Sequence, residues 1–337
     1  MWPRGRADDQ HPARGSRREP RARARAGGAP LVRGLPGPPG GGALVSHRVS
    51  LGTEPPPRRL PEWVRVRPAS GPGHHDLKAR VRELGLHTVC ESASCPNIGE
   101  CWNRRTLTVM IGGNVCTRSC GFCDVATGRP APLDPDEPRH VAELLAGLDL
   151  TYAVLTSVDR DDLPDGGAAH WAATIRALRA AAPSMGIEVL IPDFHARAEH
   201  LDVVIEARPD VLAHNLETVA RLQRTVRPQA SYERSLGAIA HAAKRGMLTK
   251  SSLMLGLGED LDEVRQALRD LRDHGCRVLT LGQYLRPSRQ HLPVQHFWEP
   301  AVFEELGCLA RALGFEEVAS APLVRSSYKA DELASRL

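Results

Sequence analysis

The sequence predicts an α/β fold built on a parallel sheet. Three observations carry that expectation. Short apolar runs recur at Val109–Ile111, Ala153–Leu155, Val189–Ile191, Val211–Ala213, Leu253–Leu255 and Val278–Leu281. Each is apolar on successive positions, apart from Thr280 in the last, as in strands buried on both faces. Helical patterns separate the runs, and alternation of that kind makes a sheet parallel. Polar residues gather just after the runs, at strand C-terminal ends, where barrel enzymes put their chemistry. Six strand–helix units are too few for a closed eight-stranded barrel, and periodicity alone leaves a partial barrel and an open sheet equally possible.

The chain has 337 residues, enough for one large domain or two small ones. Residues 1–58 are expected to be disordered. A third of residues 1–60 are Gly or Pro, and RARARAGGAP and GLPGPPGGG have no period. Such a stretch cannot bury enough apolar surface to offset its ordering entropy. It reads as a solvated tail, as a basic RNA-binding or targeting tail, or as residues 1–44 that are not translated, with Val45-Ser46-His47 the natural start. Its scarcity of Ser and its Pro/Gly content oppose a transit helix.

Order begins at Leu60-Pro61-Glu62-Trp63, with Trp63 a hydrophobic anchor. Asp76–Leu86 reads as a short helix with Leu77, Val81 and Leu84 on one face. The stretch that follows, with Pro96 and Gly99, lacks apolar periodicity and reads as a loop. From Thr106 the strand, loop and helix pattern repeats. Its clearest helix is Asp260–His274. There Asp260 caps, Glu263 completes a capping box, Leu261, Val264, Leu268 and Leu271 form the buried stripe, and Gly275 stops it. Ser231–Arg245 is similar and ends at Gly246.

Net charge is +4. Residues 1–60 hold twelve Arg, no Lys and four acidic groups, which makes +8, and the remainder, with 32 basic and 36 acidic residues, carries −4. A basic nucleic-acid face beyond the tail is therefore not expected. No stretch approaches the ~18 unbroken apolar residues of a membrane helix, and no secretory h-region is visible. Neither nucleic acid nor membrane is expected as a partner, and the cytoplasm is the default compartment.

Six of the eight cysteines fall between Cys90 and Cys123. They form two triplets, Cys90-x4-Cys95-x5-Cys101 and Cys116-x3-Cys120-x2-Cys123. Closely spaced cysteines in an intracellular chain are more often metal ligands or redox groups than disulfides. Thiolates select zinc, copper(I) or iron–sulfur clusters. Structural zinc closes a tetrahedron with four ligands, and each triplet is one short. The competing reading is a zinc knuckle completed by a distant His or by Cys276. His214 and the other histidines show no metal spacing, and Cys276 and Cys308 read as core residues.

CxxxCxFC, as it stands at Cys116–Cys123, is the signature of the radical S-adenosylmethionine (SAM) superfamily, which the chain resembles. With CxxxxCxxxxxC just upstream it resembles the lipoyl synthase family, from about Pro61 to the C-terminus. The likeness includes LHTVCESASCPNIGECW (86–102), SVDRDDLPDGGAAH (157–170), HNLETV (214–219), LTKSSLMLGLGE (248–259), QYLRPS (283–288) and APLVRSSY (321–328).

The resemblance implies a partial (β/α)6 TIM-like barrel of the radical SAM type. An N-terminal cluster-binding loop would precede it and a C-terminal extension would follow. The expected division is a tail (1–58), an N-terminal segment (59–104), the partial barrel (105–314) and a C-terminal segment with the RSSY motif (315–337). Two [4Fe-4S] clusters and SAM are the implied cofactors. Cys116, Cys120 and Cys123 would hold the cluster that binds SAM. Cys90, Cys95 and Cys101 would hold an auxiliary cluster, with a serine of RSSY as fourth ligand. Spacing does not choose between Ser326 and Ser327, and the family points to Ser327. Arg325 would stabilise or shield that cluster, or anchor the tail.

At the rim, Phe122 would pack beside the adenine, and Thr156 and Ser157 would lie near the SAM amino group. Asn215 and Glu217 would bind the ribose and Arg286 the SAM carboxylate. Gly256–Glu259 resembles a Gly-rich segment that approaches SAM. The implied reaction inserts two sulfur atoms, at C6 and C8, into an octanoyl group on a carrier-protein lysine. The implied partners are octanoylated lipoyl carrier domains (2-oxoacid dehydrogenase E2 subunits and the glycine cleavage H protein). A ferredoxin- or flavodoxin-type reductant and an iron–sulfur carrier for cluster repair complete the set. Another radical SAM sulfur-inserting enzyme, such as a methylthiotransferase, is the alternative.

Overall fold

The computed structural model describes residues 60–65, 72–93, 95–103, 107–148, 150–334 and 336. The expected tail (1–58) and Val45-Ser46-His47 lie outside the described residues.

In chain order the elements are α1 (Pro72–Glu83), β1 (His87–Thr88), α2 (Val89–Ser92), α3 (Ile98–Asn103), β2 (Thr108–Ile111), β3 (Val115–Cys116) and β4 (Ala126–Thr127). Then come α4 (Glu137–Ala146), β5 (Tyr152–Ser157), α5 (Ala168–Ala181), β6 (Gly186–Leu190), α6 (Ala198–Glu206), β7 (Val211–Ala213), α7 (Gln223–Val226) and α8 (Tyr232–Lys244). The chain finishes with β8 (Leu248–Leu255), α9 (Leu261–Asp273), β9 (Val278–Gln283), α10 (Pro300–Ala312), β10 (Glu317–Ser320) and α11 (Ala330–Ala334).

Eight strands form one sheet in the order β1-β2-β5-β6-β7-β8-β9-β10. All neighbours from β2 to β10 are parallel, and β1 runs antiparallel on the outer edge of β2. Among the described residues β1 and β10 do not pair, so the sheet stays open. All six apolar runs fall on its central strands. β10 and β1 were not expected, because β10 is half-buried throughout and β1 has only two residues.

Two apolar cores flank the strands. Val109, Leu155 and Val189 pack with Val141, Ile175 and Leu201 of α4, α5 and α6. Leu253, Leu279 and Leu281 pack with Ile239, Leu268 and Phe303 of α8, α9 and α10. Each fully buried side chain of this size contributes about 1.5–3 kcal/mol. Helix α9 begins with the expected box: Asp260 accepts from the Glu263 amide and Glu263 from the Asp260 amide, at 2.9 and 3.0 Å. Its buried stripe uses Ala267 where Leu261 was expected, and Leu261 is only half-buried. Ser231 caps α8, and Gly275, with φ +86°, takes the left-handed turn that stops α9.

Four local expectations are corrected. The first helix spans Pro72–Glu83, starting and ending earlier than 76–86. The first cysteine triplet does not sit in a bare loop: Cys90 lies in α2 and Cys101 in α3. Thr88 nucleates α2 by accepting from the Glu91 amide at 3.3 Å. Trp63 is exposed, and Val64 is the buried residue of that turn. Cys308 is exposed on α10, next to the buried Leu306 and Gly307 face, while Cys276 is fully buried.

Candidate functional site

The C-terminal ends of β5 to β9 surround a cavity of about 440 Å³. Cys116, at the end of β3, lines it together with Cys120 and Cys123. The loop between them is tightly placed. Its Gly121 amide donates to Val226 O at 2.8 Å, and Leu292 N donates to Gly121 O at 2.9 Å. A Cβ on Gly121 would stand 2.8 Å from the Leu292 side chain, so any larger residue there must displace Leu292. Phe122 lines the cavity and packs half-buried against the second core.

Burial pushes the Cys120 thiol up to about 12 and the Cys123 thiol up to about 11. Burial, and then Asp159, also raises Cys116. Bare thiolates at these positions are disfavoured at neutral pH, so the triplet suits a group that supplies its own positive charge.

The first triplet meets the same cavity through Cys95, while Cys90 is buried behind it. Burial raises Cys95 and pushes Cys90 up to about 11. Cys101 is half-buried on α3. The C-terminal segment lies beside this triplet: Asn97 Nδ2 donates to Leu323 O at 2.8 Å and Tyr328 OH to Glu100 at 3.1 Å. Arg325, Ser326 and Ser327 all line the cavity, so both serines remain candidates. Arg325 donates to Val324 O at 2.6 Å, and its charge acts on Cys95.

Other rim residues also converge. Ser157 accepts from Trp171 Nε1 at 3.2 Å, and Thr156 donates to Leu190 O at 3.0 Å. Asn215 Nδ2 donates to Glu217 at 3.0 Å, and buried Asn215 Oδ1 has no hydrogen-bond partner among the described residues. Burial raises Glu217 despite Arg227. Glu217 also adopts φ +68°, held there by bonds to Ser252 O and Met254 N on β8. Arg286 stands exposed at the rim, and its guanidinium donates to the His291 and Arg289 carbonyls of its own loop.

Gly256–Glu259 departs from expectation. None of the four lines the cavity. Glu259 instead accepts from the Gly256 and Leu257 amides and from Trp298 Nε1, which closes a structural turn.

Sequence reasoning passed over two buried cations. Arg227 donates to Asn215 O, Leu216 O and Ser235 Oγ, each at 3.2 Å. Arg118 is gripped by Asp159, Asp161 and Asp193. An Arg in a polar loop reads as solvated, and only the fold brings three carboxylates to it.

Residues 110–271 match the model of the radical SAM superfamily. Residues 46–95 match the N-terminal domain of lipoyl synthase of the radical SAM family. The lipoyl synthase of Methylococcus capsulatus is 57% identical over 298 residues, 87% of this chain and 92% of that one. The chain belongs to the lipoyl synthase family. The lipoyl synthases of Acidothermus cellulolyticus and Thermus thermophilus are each 55% identical, over 82% and 83% of this chain and 86% and 88% of theirs. A solved structure of HydG, a maturase of the [FeFe]-hydrogenase, shares the fold at TM-score 0.50 and 14% identity, covering 67% of this chain and 58% of that one. Lipoyl synthases are radical SAM enzymes that insert sulfur, with [4Fe-4S] clusters and SAM as cofactors. These relatives support that assignment over a methylthiotransferase. Among the described residues no helix is long and apolar enough to cross a membrane.

Proposed function

We propose that this chain inserts two sulfur atoms, at C6 and C8, into an octanoyl group held as an amide on the lysine of a lipoyl carrier domain. One observation carries the proposal: Cys116, Cys120 and Cys123, Cys95 of the other triplet, and Ser326 and Ser327 all line one cavity. The buried thiols fit iron–sulfur clusters, and the orphaned Asn215 Oδ1 offers an acceptor to a bound polar molecule. When bound, SAM and its cluster would supply hydrogen abstraction from an unactivated C–H bond, and the second cluster would supply sulfur.

Cys116, Cys120 and Cys123 hold the SAM-binding cluster, and Cys90, Cys95 and Cys101 hold the other, with Ser327 (or Ser326) as its fourth ligand. A serine oxygen is a harder, weaker ligand than a thiolate, which suits a cluster that gives up its atoms. Phe122 packs beside the adenine. Ser157, Asn215 and Glu217 orient the amino group and the ribose. Arg286 turns from its own loop to the SAM carboxylate, and Arg325 shields the second cluster. Val89, Met110, Leu253 and Met254 give the cavity an apolar wall that suits an alkyl chain and excludes water.

Octanoylated E2 and glycine cleavage H domains are the substrates, with a ferredoxin- or flavodoxin-type reductant and an iron–sulfur carrier for repair. The work is assigned to the cytoplasm. The test is anaerobic. Protein reconstituted with iron and sulfide is given SAM, reductant and an octanoyl-lysine peptide, and the peptide is weighed. Two hydrogens replaced by two sulfurs, with 5′-deoxyadenosine formed, is the expected result. Deoxyadenosine with an unchanged peptide would refute the substrate.

A further inference from the structure

The motif Ser157–His170 is only partly explained by the cavity, which takes its first three residues. The side chains that follow alternate between two jobs. Asp159 and Asp161 face the loop that presents Cys116, and both bind Arg118. Arg160 faces the other way. It donates to Gly112 O at 3.0 Å and to Ala131 O at 3.1 Å, and two 2.9 Å bonds to Asp162 hold it in place. At the far end of the motif His170 meets Glu137 at 2.5 Å, and Glu137 accepts from the Gly112 amide at 2.8 Å. Both backbone polar groups of Gly112 are thus gripped, four residues before Cys116.

The grip after Cys116 centres on Arg118. Its guanidinium is 2% exposed and meets three carboxylates. Asp161 takes two bonds, at 2.7 and 2.8 Å, and Asp193 one at 2.8 Å, while Asp159 stands 3.2 Å away as an ion pair. Arg234 reaches Asp193 only at 3.5 Å. Arg118 binds all three carboxylates, and His195 supports two of them, its ring Nε2 meeting Asp161 and its amide donating to Asp193, each at 3.0 Å. The backbones are laced alongside: Thr117 N and Oγ1 both donate to Asp159 O, at 3.1 and 2.9 Å, and Asp161 N donates to Thr117 Oγ1 at 3.1 Å. The outcome at the sulfur is two backbone donors on Cys116 Sγ, Asp159 N at 3.3 Å and Arg118 N at 3.4 Å.

We infer that Ser157–His170 is a two-sided clamp on the Gly112–Arg118 loop, and that Arg118 is the positioning residue that aims two N–H donors at the Cys116 sulfur. This rests on the reading that Cys116 binds the SAM-binding cluster. Hydrogen bonds to cluster sulfurs and nearby charge both set reduction potential. Arg118 thereby tunes the cluster from the cavity wall.

Two arms test it. In metal-free protein, hydrogen exchange followed by mass spectrometry reads residues 112–118, 157–163 and, as control, 89–101. Arg118→Gln should speed exchange about tenfold or more in the first two segments, as for a lost charge-assisted hydrogen bond, and leave the control unchanged. Arg118→Lys, which keeps the charge but not the fork, should fall between. In reconstituted holoenzyme, the EPR signal that responds to SAM is titrated. Arg118→Gln should shift its midpoint potential negative, because a positive charge and N–H···S bonds are lost, and Arg118→Lys should shift it less. Unchanged exchange in both segments, or an unchanged potential, would overturn the inference. Should Arg118→Gln not fold, Asp161→Asn decides by exchange. Loss confined to the two segments supports the clamp, and no loss or loss across the sheet refutes it. A wild type with no SAM-responsive signal would fault the cluster assignment instead, and the exchange arm would still judge the clamp.

Discussion

The loop of Cys116, Cys120 and Cys123 and the segment of Cys90, Cys95 and Cys101 are held in different ways. The first is bonded by several loops at the sheet's C-terminal rim: those of Val226, Leu292, Asp159 and His291, whose Nε2 lies 3.0 Å from Cys123 O. The second rides on two short helices and is tied to residues 323–328 by Asn97 and Tyr328. An ion pair of this segment, Lys78 with Glu91 at 3.1 Å, is one-third exposed and weak. Under the proposed function, the many-sided cradle suits a cluster that survives each turnover, and a segment tied to residues 323–328 suits one that is dismantled and refilled.

The sharpest way to break this comparison is to remove one cysteine from each triplet. Cys120→Ala should abolish SAM cleavage, whereas Cys95→Ala should keep SAM cleavage and abolish sulfur insertion, both read by deoxyadenosine and peptide mass. Identical phenotypes would erase the distinction. The next effect separates the serines. Ser327→Ala should cut lipoyl formation on the order of 100-fold, at least what an outer partner costs a metal site, and Ser326→Ala should cost far less. The reverse ranking would move the ligand to Ser326.

How much was legible in the sequence follows from the same physics. The cysteine spacings marked both triplets as candidate ligand sets, and the fold brings Cys116, Cys120, Cys123 and Cys95 to one cavity. The apolar runs located the central strands, but only the last three residues of β8 were seen. Buried Thr249, Lys250, Ser251 and Ser252 break its apolar run, since each faces a polar partner or the cavity. Lys250, for example, pairs with Glu188 at 2.7 Å. The Arg118 cage was illegible because its partners are up to 75 residues away in sequence, and the Arg227 contacts, 8–12 residues away, because two of them are backbone carbonyls that no residue pattern marks. Gly256–Glu259 misled because two glycines after a strand serve a turn as readily as a ligand.

Smaller effects sharpen the picture of the barrel. His214 is buried between Ile191 O and Ser235 Oγ, and burial, then Arg227, lowers it from 6.5 to about 4. The unfolded chain takes up that proton below pH 6.5 and the native protein only near 4. Stability present above pH 6.5 should therefore fall by about 3 kcal/mol as pH drops through that window. His214→Gln should flatten the difference in denaturant titrations, and an equal slope in both proteins would contradict it. Asn97→Ala should loosen the terminal segment by about 1 kcal/mol, read as faster hydrogen exchange in residues 321–334 with the sheet unchanged.

The most direct test of unequal fates is isotopic. The holoenzyme is reconstituted with heavy sulfide, freed of excess, and allowed one turnover on the octanoyl peptide. Two heavy sulfurs in the product, loss of one cluster per chain, and survival of the SAM-responsive EPR signal are expected. Product sulfur that is light, or loss of the SAM-responsive signal with the other cluster intact, would contradict those unequal fates.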